Sequence, residues 1–274
     1  MRIIKYARLI VLFLVLIIFS IHTEISFAGN KKEIKKLQLS GMIFIPAGWF
    51  WMGCSPKDMH CNPSEKPYYP SEKPYHRVYL DAYYIDKNDV TVAEYTTCVN
   101  AGVCKAAITG DHCNYGVNGR SNNPINCVRW SMADIYCKWA GKKLPTEAQW
   151  EKAARGTDGR IYPWGNDWDA SKACHNQLST CVVGSYPQGA SPYGVMDMAG
   201  NVWDWCRDWD KWDYENSSNY NPHGPEQGVS HVLRGGAWNN INPSYLRASY
   251  RGIDVPASGW CDYYGFRCVR EDLK

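Results

Sequence analysis

Twelve cysteines, the first of them Cys54, constrain this chain more than any other feature. An even number of thiols in an oxidising compartment closes into disulfides, and a fold stapled that way can dispense with long helices and large sheets. The first 28 residues supply the compartment. Arg2, Lys5 and Arg8 form a basic start, Leu9 to Phe19 is an unbroken apolar run, and Ser26-Phe27-Ala28 puts small residues at a cleavage site. Ser20, His22, Thr23 and Glu24 interrupt the run before the roughly 20 apolar residues that a spanning helix needs. Cleavage is therefore expected rather than an uncleaved anchor, giving a secreted or periplasmic protein with no membrane span after removal of the signal peptide. No Cys-x-x-Cys spacing occurs, so disulfides are expected rather than a thiolate zinc site. Cys54/Cys61, Cys98/Cys104, Cys174/Cys181 and Cys261/Cys268 are close in sequence, which does not fix the connectivity.

Charge narrows the partners. Lys+Arg 30 against Asp+Glu 27 gives a formal +3, and the leader carries three of the bases and one acid, so the mature chain is near neutral. With no basic cluster it does not track phosphates, and no nucleic-acid partner is expected. A hydrophobic fraction of 45% with 13 Trp and 19 Tyr excludes a disordered chain. Residues 29–40 read as a Lys-rich linker and 41–271 as a single domain.

Within that domain MIFIPAGWFWMGC, from Met42, reads as a strand or hairpin, and VYLDAYYID (Val78 to Asp86) as a strand. PSEKPYY at 63–69 is followed by PSEKPYH at 70–76; two such copies form a loop, since they are too short to stack a core. Three helices are punctuated: Thr91 with Glu94 as a capping box, Ser131 capping a segment whose Ile135, Tyr136 and Trp139 share a face before Gly141, and Thr146 with Gln149, ending at Gly156. From Gly159 onward few periodic segments occur. The fold class is α+β, loop-rich, with low regular secondary structure.

Five segments in order carry a resemblance. LPTEAQWEKAARG (Leu144 to Gly156), YPWGN (Tyr162 to Asn166), YGVMDMAGNVWDW (Tyr193 to Trp205), LRGGAW (Leu233 to Trp238) and Gly265-Phe266-Arg267, with the opening MIFIPAGWFWMGC, resemble the sulfatase-modifying-factor, or formylglycine-generating-enzyme, family over about Gly41 to Arg270. The resemblance implies a variant of the C-type lectin fold. It also implies an oxidase that converts a sulfatase cysteine to formylglycine on a copper ion held by two thiolates, soft ligands suited to Cu(I). Those cysteines belong between Gly235 and Gly252, near Asn240 and near Pro243 to Tyr245, and that stretch contains none. Copper is accordingly not expected, and no catalytic residue is assigned.

Other family features carry over by position. A disulfide is implied between Cys137 and Cys268, while Ala154 and Ala248 stand where a second would lie. Calcium is implied at the Asp197 and Asp204 side chains with the Gly200 and Val202 carbonyls, an oxygen set that suits a hard cation, and a weaker second site begins at Asn176. The Trp matching Trp203 lies near the family's cleft, which makes Trp203, Trp238, Arg247, Tyr250 and Arg251 the cleft candidates. Arg247 and Arg251 either pair with acids inside the fold or offer donors to an anionic ligand. The seven histidines form no HExxH.

Three functions remain on these grounds. The first is a calcium-stabilised binding or scaffold domain for an exported protein, peptide or small molecule, without the oxidase chemistry. The second is an enzyme that modifies exported metabolites, as relatives in siderophore maturation do. The third is a sulfatase-maturing oxidase working through Cys261. Whether the chain is an enzyme at all is open at this level.

Overall fold

Alternation sets the first two strands. Met42–Ile45 (β1) and Gly48–Met52 (β2) bury Ile45, Phe50 and Met52 while Phe44 and Trp51 stay exposed, the period of two that a half-buried strand demands. They are not a hairpin: β1 pairs with Tyr83–Asp86 (β4), and β2 with His76–Leu80 (β3), both antiparallel. The single strand expected over Val78 to Asp86 is thus two strands in different sheets, broken at Asp81-Ala82, where Asp81 leaves the ladder and its N–H is taken by the Asn221 side chain at 2.9 Å. This computed structural model describes residues 39–61, 70–211, 213–252 and 258–271. The leader 1–28, the linker apart from residues 39 and 40, and the first heptapeptide copy lie outside the described residues. Met42–Lys274 forms one unit and the segment to Gly41 another.

Three helices follow. Val92–Asn100 (α1) carries both bonds of the capping box at Thr91. Trp130–Trp139 (α2) starts one residue before the expected cap: Arg129 is the N-cap, with no side-chain bond, so Ser131 lies in the first turn. Its inward face is Ala133, Tyr136 and Cys137, whereas Ile135 is 41% exposed and Trp139 37%. Glu147–Arg155 (α3) is capped by Thr146 and Gln149 as expected, and Gly156 closes it at φ +70. Every residue of α3 is buried, because β2, β3, Trp203–Trp209 (β5) and His231–Arg234 (β6) all pack against it.

A helix without a solvent face must satisfy its own charges. Lys152 donates to the Pro46 and Gly48 carbonyls, and burial pulls its pKa down to about 8. Arg155 bonds Glu151 and the Gly53 and Gly159 carbonyls, and Glu151 also receives Arg234 from β6. Around this centre lie the sheet β1-β4-Val269–Arg270 (β9), the pair β2-β3, and a four-stranded sheet ordered Arg251–Gly252 (β7), β6, β5, Tyr264–Gly265 (β8), with β8 parallel to β5. Short strands and long connections give the mixed, loop-rich α+β fold expected.

The twelve cysteines make five disulfides: Cys54–Cys61, Cys98–Cys104, Cys113–Cys127, Cys137–Cys268 and Cys174–Cys181. Cys206 and Cys261 are free. Nearness in sequence therefore misleads at Cys268, whose partner is Cys137 on α2, 131 residues away, and not Cys261. Ala154 and Ala248 are both fully buried in the core cluster that contains Trp150. Among the described residues no helix is long and apolar enough to cross a membrane.

Candidate functional site

The turn that leads into β5 gathers acids. Asp197 has φ +56 and accepts the Gly184 N–H at 2.7 Å; Gly200, at φ +86, lies against Cys174, whose carbonyl oxygen a Cβ would meet at 2.3 Å. Only glycine fits there. Asp204, on β5, accepts Trp150 Nε1 and Arg267 Nε, each at 2.7 Å, and Arg267 also donates to Asp89. Two buried carboxylates thus share one guanidinium, which also reaches the Asp197 backbone carbonyl at 3.3 Å and so brings a third acid close. Burial raises the pKa of all three: Asp197 to about 6, Asp204 in the same direction against the pull of Arg267, and Asp89 well above its usual range, with Asp204 and Asp197 adding to the rise. Asp204 Oδ1 and Asp89 Oδ2 are buried without a hydrogen-bond partner.

Excess buried negative charge and orphaned carboxylate oxygens fit a divalent cation with oxygen ligands. The only close-set group of three Cys, His, Asp or Glu ligand atoms among the described residues is Cys54, Asp58 and Cys61, and its two sulfurs are bonded to each other. An ion at Asp197 and Asp204 would consequently draw on carbonyl oxygens such as those of Gly200 and Val202. Asn176 sits at φ +48 in the loop closed by Cys174–Cys181, and its N–H goes to the Asn240 carbonyl.

Beyond β5 lies a cleft of about 430 Å³ walled by Trp203, Tyr245, Tyr250, Tyr263 and Tyr264, with Asn239 and Asn240 at its edge. Trp203 and Tyr250 rings lie 5.7 Å apart and Tyr245 meets Tyr250 edge-on at 5.0 Å, so the rings hold one another in place. Asn240 Oδ1 accepts the Ala237 N–H at 2.8 Å. Of the expected cleft residues, Trp203, Tyr250 and Arg251 line it. Trp238 does not: it packs on His112 and points its Nε1 toward the Asp262 carbonyl.

Arg247 corrects the expectation more sharply. It is fully buried, gripped by both Glu72 oxygens at 2.6 and 2.9 Å and by Asp58 at 2.7 Å, so it pairs with acids inside the fold and backs the cleft through the Tyr250 ring, 5.6 Å from its guanidinium carbon. Arg251 reaches the cleft wall, but its donors are taken by Glu147, Asp210 and the Ser71 and Lys211 carbonyls. On its far side a second cavity, about 440 Å³, touches Glu147, Asp208, Tyr214 and His76. Sequence reasoning missed Tyr263 and Tyr264, which sit just ahead of the Gly-Phe-Arg segment, and Glu72, Asp58 and Asp89. The last three carried no local signal, because their partners lie 175, 189 and 178 residues away.

The two free thiols are placed differently. Cys206 is in the core of β5, where burial holds its pKa well above the thiol range. Cys261 is half-buried, with Sγ 3.6 Å from Asp262 Oδ1, two residues before the cleft tyrosines.

Comparison with known proteins places the fold in a family. The sulfatase-modifying factor enzyme 1-like domain matches residues 27–272. Serine/threonine-protein kinase pkn1 of Chlamydia caviae is 33% identical over 88% of this chain, and the chain spans only 40% of that protein's length. Formylglycine-generating enzyme of Streptomyces coelicolor is 40% identical over 57% of this chain and 55% of its own. Among solved structures, PvdO from Pseudomonas aeruginosa superimposes with a TM-score of 0.71 at 25% identity, covering 84% of this chain and 94% of PvdO.

Proposed function

The chain belongs to the sulfatase-modifying factor enzyme 1-like family, and from that premise we propose that it is an exported, calcium-stabilised binding or scaffold domain, working without copper-dependent oxidation of cysteine. Its aromatic cleft takes a peptide, a protein segment or a small molecule. One observation carries this reading: near the positions where the family resemblance places two thiolates, the cleft presents the Asn240 amide and the Tyr245 phenol. A cuprous ion needs a pair of soft sulfur ligands, and neither Cys206 nor Cys261 lines the cleft. What remains suits binding. Five aromatic rings offer apolar area on rigid side chains, and amide and phenol groups at the edge supply orientation. Five disulfides support an oxidising compartment.

Calcium has a defined part in this reading. Asp197 and Asp204 would hold it through their carboxylates with the Gly200 and Val202 carbonyls, and the ion would supply the positive charge that Arg267 alone does not. Its role there is to fix the turn that delivers Trp203 to the cleft.

The test is direct. Disulfide-intact protein is mixed with Cu(I) and a sulfatase-type cysteine peptide, and the expected result is neither stoichiometric tight copper binding nor oxidised peptide. Turnover abolished by a cuprous chelator overturns the proposal. A second reading rests on Cys261 standing outside the five disulfides: peptide oxidation that consumes dissolved dioxygen, is lost on Cys261→Ser and is indifferent to the chelator would favour single-thiol chemistry beside the cleft.

A further inference from the structure

The second heptapeptide copy, 70–76, is built into the fold at nearly every residue. Arg251 donates to the Ser71 carbonyl at 3.0 Å, and the wholly buried Glu72 carboxylate takes Arg247 on both oxygens, at 2.6 and 2.9 Å. The Glu72 carbonyl accepts the Cys54 N–H at 2.9 Å, in an approach so close that a Cβ at Gly53 would fall 2.7 Å from that oxygen. The Tyr214 N–H donates to the Lys73 carbonyl at 2.8 Å, Tyr75 stacks on Trp51 at 4.9 Å, and His76 opens β3.

Ahead of this segment stand Pro63-Ser64-Glu65-Lys66-Pro67-Tyr68, the same six residues in the same order, and the copies differ only at the seventh, Tyr69 against His76. Each contact from Ser71 to Tyr75 therefore runs through a backbone carbonyl or through a side chain that the first copy duplicates. The chain is long enough to present it. Cys61 lies 5.5 Å from Cys54 between Cα atoms, and Cys54 is one hydrogen bond from Glu72. Standard backbone lengths then put Cys61 within about 12 Å of the Glu72 Cα, and the four residues from Cys61 to Glu65 span up to about 13 Å. In either arrangement seven residues are looped out, between Asn62 and Pro70 or between Tyr69 and Arg77. Closure entropy depends on loop length, so it favours neither.

We propose that the two copies compete for one seat: the chain exchanges between the register with Glu72 on Arg247 and a register shifted by seven residues, with Glu65 on Arg247. A foreign segment would have to outdo the resident one, whereas the first copy has only to match it. What separates the registers is the seventh residue. His76 Nδ1 donates to the Pro74 carbonyl at 2.8 Å, which a tyrosine cannot do from that place, and one such bond biases an equilibrium roughly two- to tenfold. The exchange has a chemical consequence. His76 lines the cavity of about 440 Å³ beside Glu147, Asp208 and Tyr214, so the register decides whether an imidazole or a phenol faces those groups. It does not depend on what the aromatic cleft binds.

Thermal melts and proton NMR of the disulfide-intact protein test this. In a fixed register Glu72→Ala strands much of the buried Arg247 charge, whereas with exchange Glu65 takes its place. Glu72→Ala is therefore expected to fold with a modest loss of Tm, and Glu65→Ala/Glu72→Ala to lose clearly more than the sum of the single variants. The His76 ring protons, assigned with His76→Gln, feel the Tyr214 ring 5.4 Å away. In Glu72→Ala they should move toward the position of a solvated histidine, which separates exchange from compensation by Asp58, the other acid on Arg247. A Glu72→Ala protein that does not fold, losses of Tm that simply add, or a folded Glu72→Ala whose His76 resonances stay at their wild-type positions each overturns the proposal.

Discussion

Arg155, Arg234, Arg247, Arg251 and Arg267 are buried, and each meets at least one carboxylate. Such pairs add little net stability over a well-packed apolar core, but removing one partner strands a buried charge. The acids around them titrate in opposite senses. Burial raises Glu147, yet Arg251 and Arg234 outweigh it and leave the carboxyl below its ordinary value. Asp208 lacks that compensation: burial and the charge on Glu147 push it from 3.8 to about 7, against the Glu147 N–H, Arg207 and Arg251. Between those values the native protein keeps a proton that the unfolded chain releases, so this group's contribution to stability falls as pH rises from about 4 to about 7. Urea unfolding of wild type and Asp208→Asn across that range should show the wild type losing on the order of 1–4 kcal/mol relative to the variant. A flat difference would contradict it. In the sequence Arg247 and Arg251 were visible as a pair of cations, but their partners arrive from a loop near residue 72 and from α3, and nothing local announced which of two roles they would take.

Local signals were legible where the chain satisfies itself. Thr91 with Glu94 and Thr146 with Gln149 mark their helix starts because both bonds of each box run within four residues. Ser131 misled because an N-cap is defined by backbone geometry, and Arg129 has the extended conformation there without contributing a side-chain bond. The acids of the Asp197 to Asp204 turn were legible in the sequence through the family resemblance, whereas Asp89, which shares Arg267 with Asp204, comes from a separate loop. That turn carries its own prediction. Calcium added to chelator-treated protein should raise Tm. At a hundredfold excess over Kd the gain is about 2.7 kcal/mol, or roughly 5–10 °C for a domain of this size. Asp204→Asn should abolish the rise while leaving a folded protein by circular dichroism. An unchanged Tm in the wild type would remove the ion from the account.

At the level of the molecule, the order of five short segments was enough to reveal the family; three of them hold the buried helix α3, the start of β5 and the end of β6. Disulfide connectivity was not readable from spacing. Cys137–Cys268 ties α2 to the residue just before the last strand across 131 residues, whereas Cys98–Cys104 closes only six. Loop-closure entropy grows with the logarithm of length, so Cys137→Ala/Cys268→Ala should cost about 2.7 kcal/mol more than Cys98→Ala/Cys104→Ala. Paired guanidinium melts would measure the gap, and equal losses would show that strain or packing outweighs chain entropy. A helix with neighbours on every side has a different kind of consequence. Glu147–Arg155 leaves no position where substitution is free of contact, so drift in a lineage built on this scaffold is channelled to the periphery, and novelty arises in loops while the axle stays as it is.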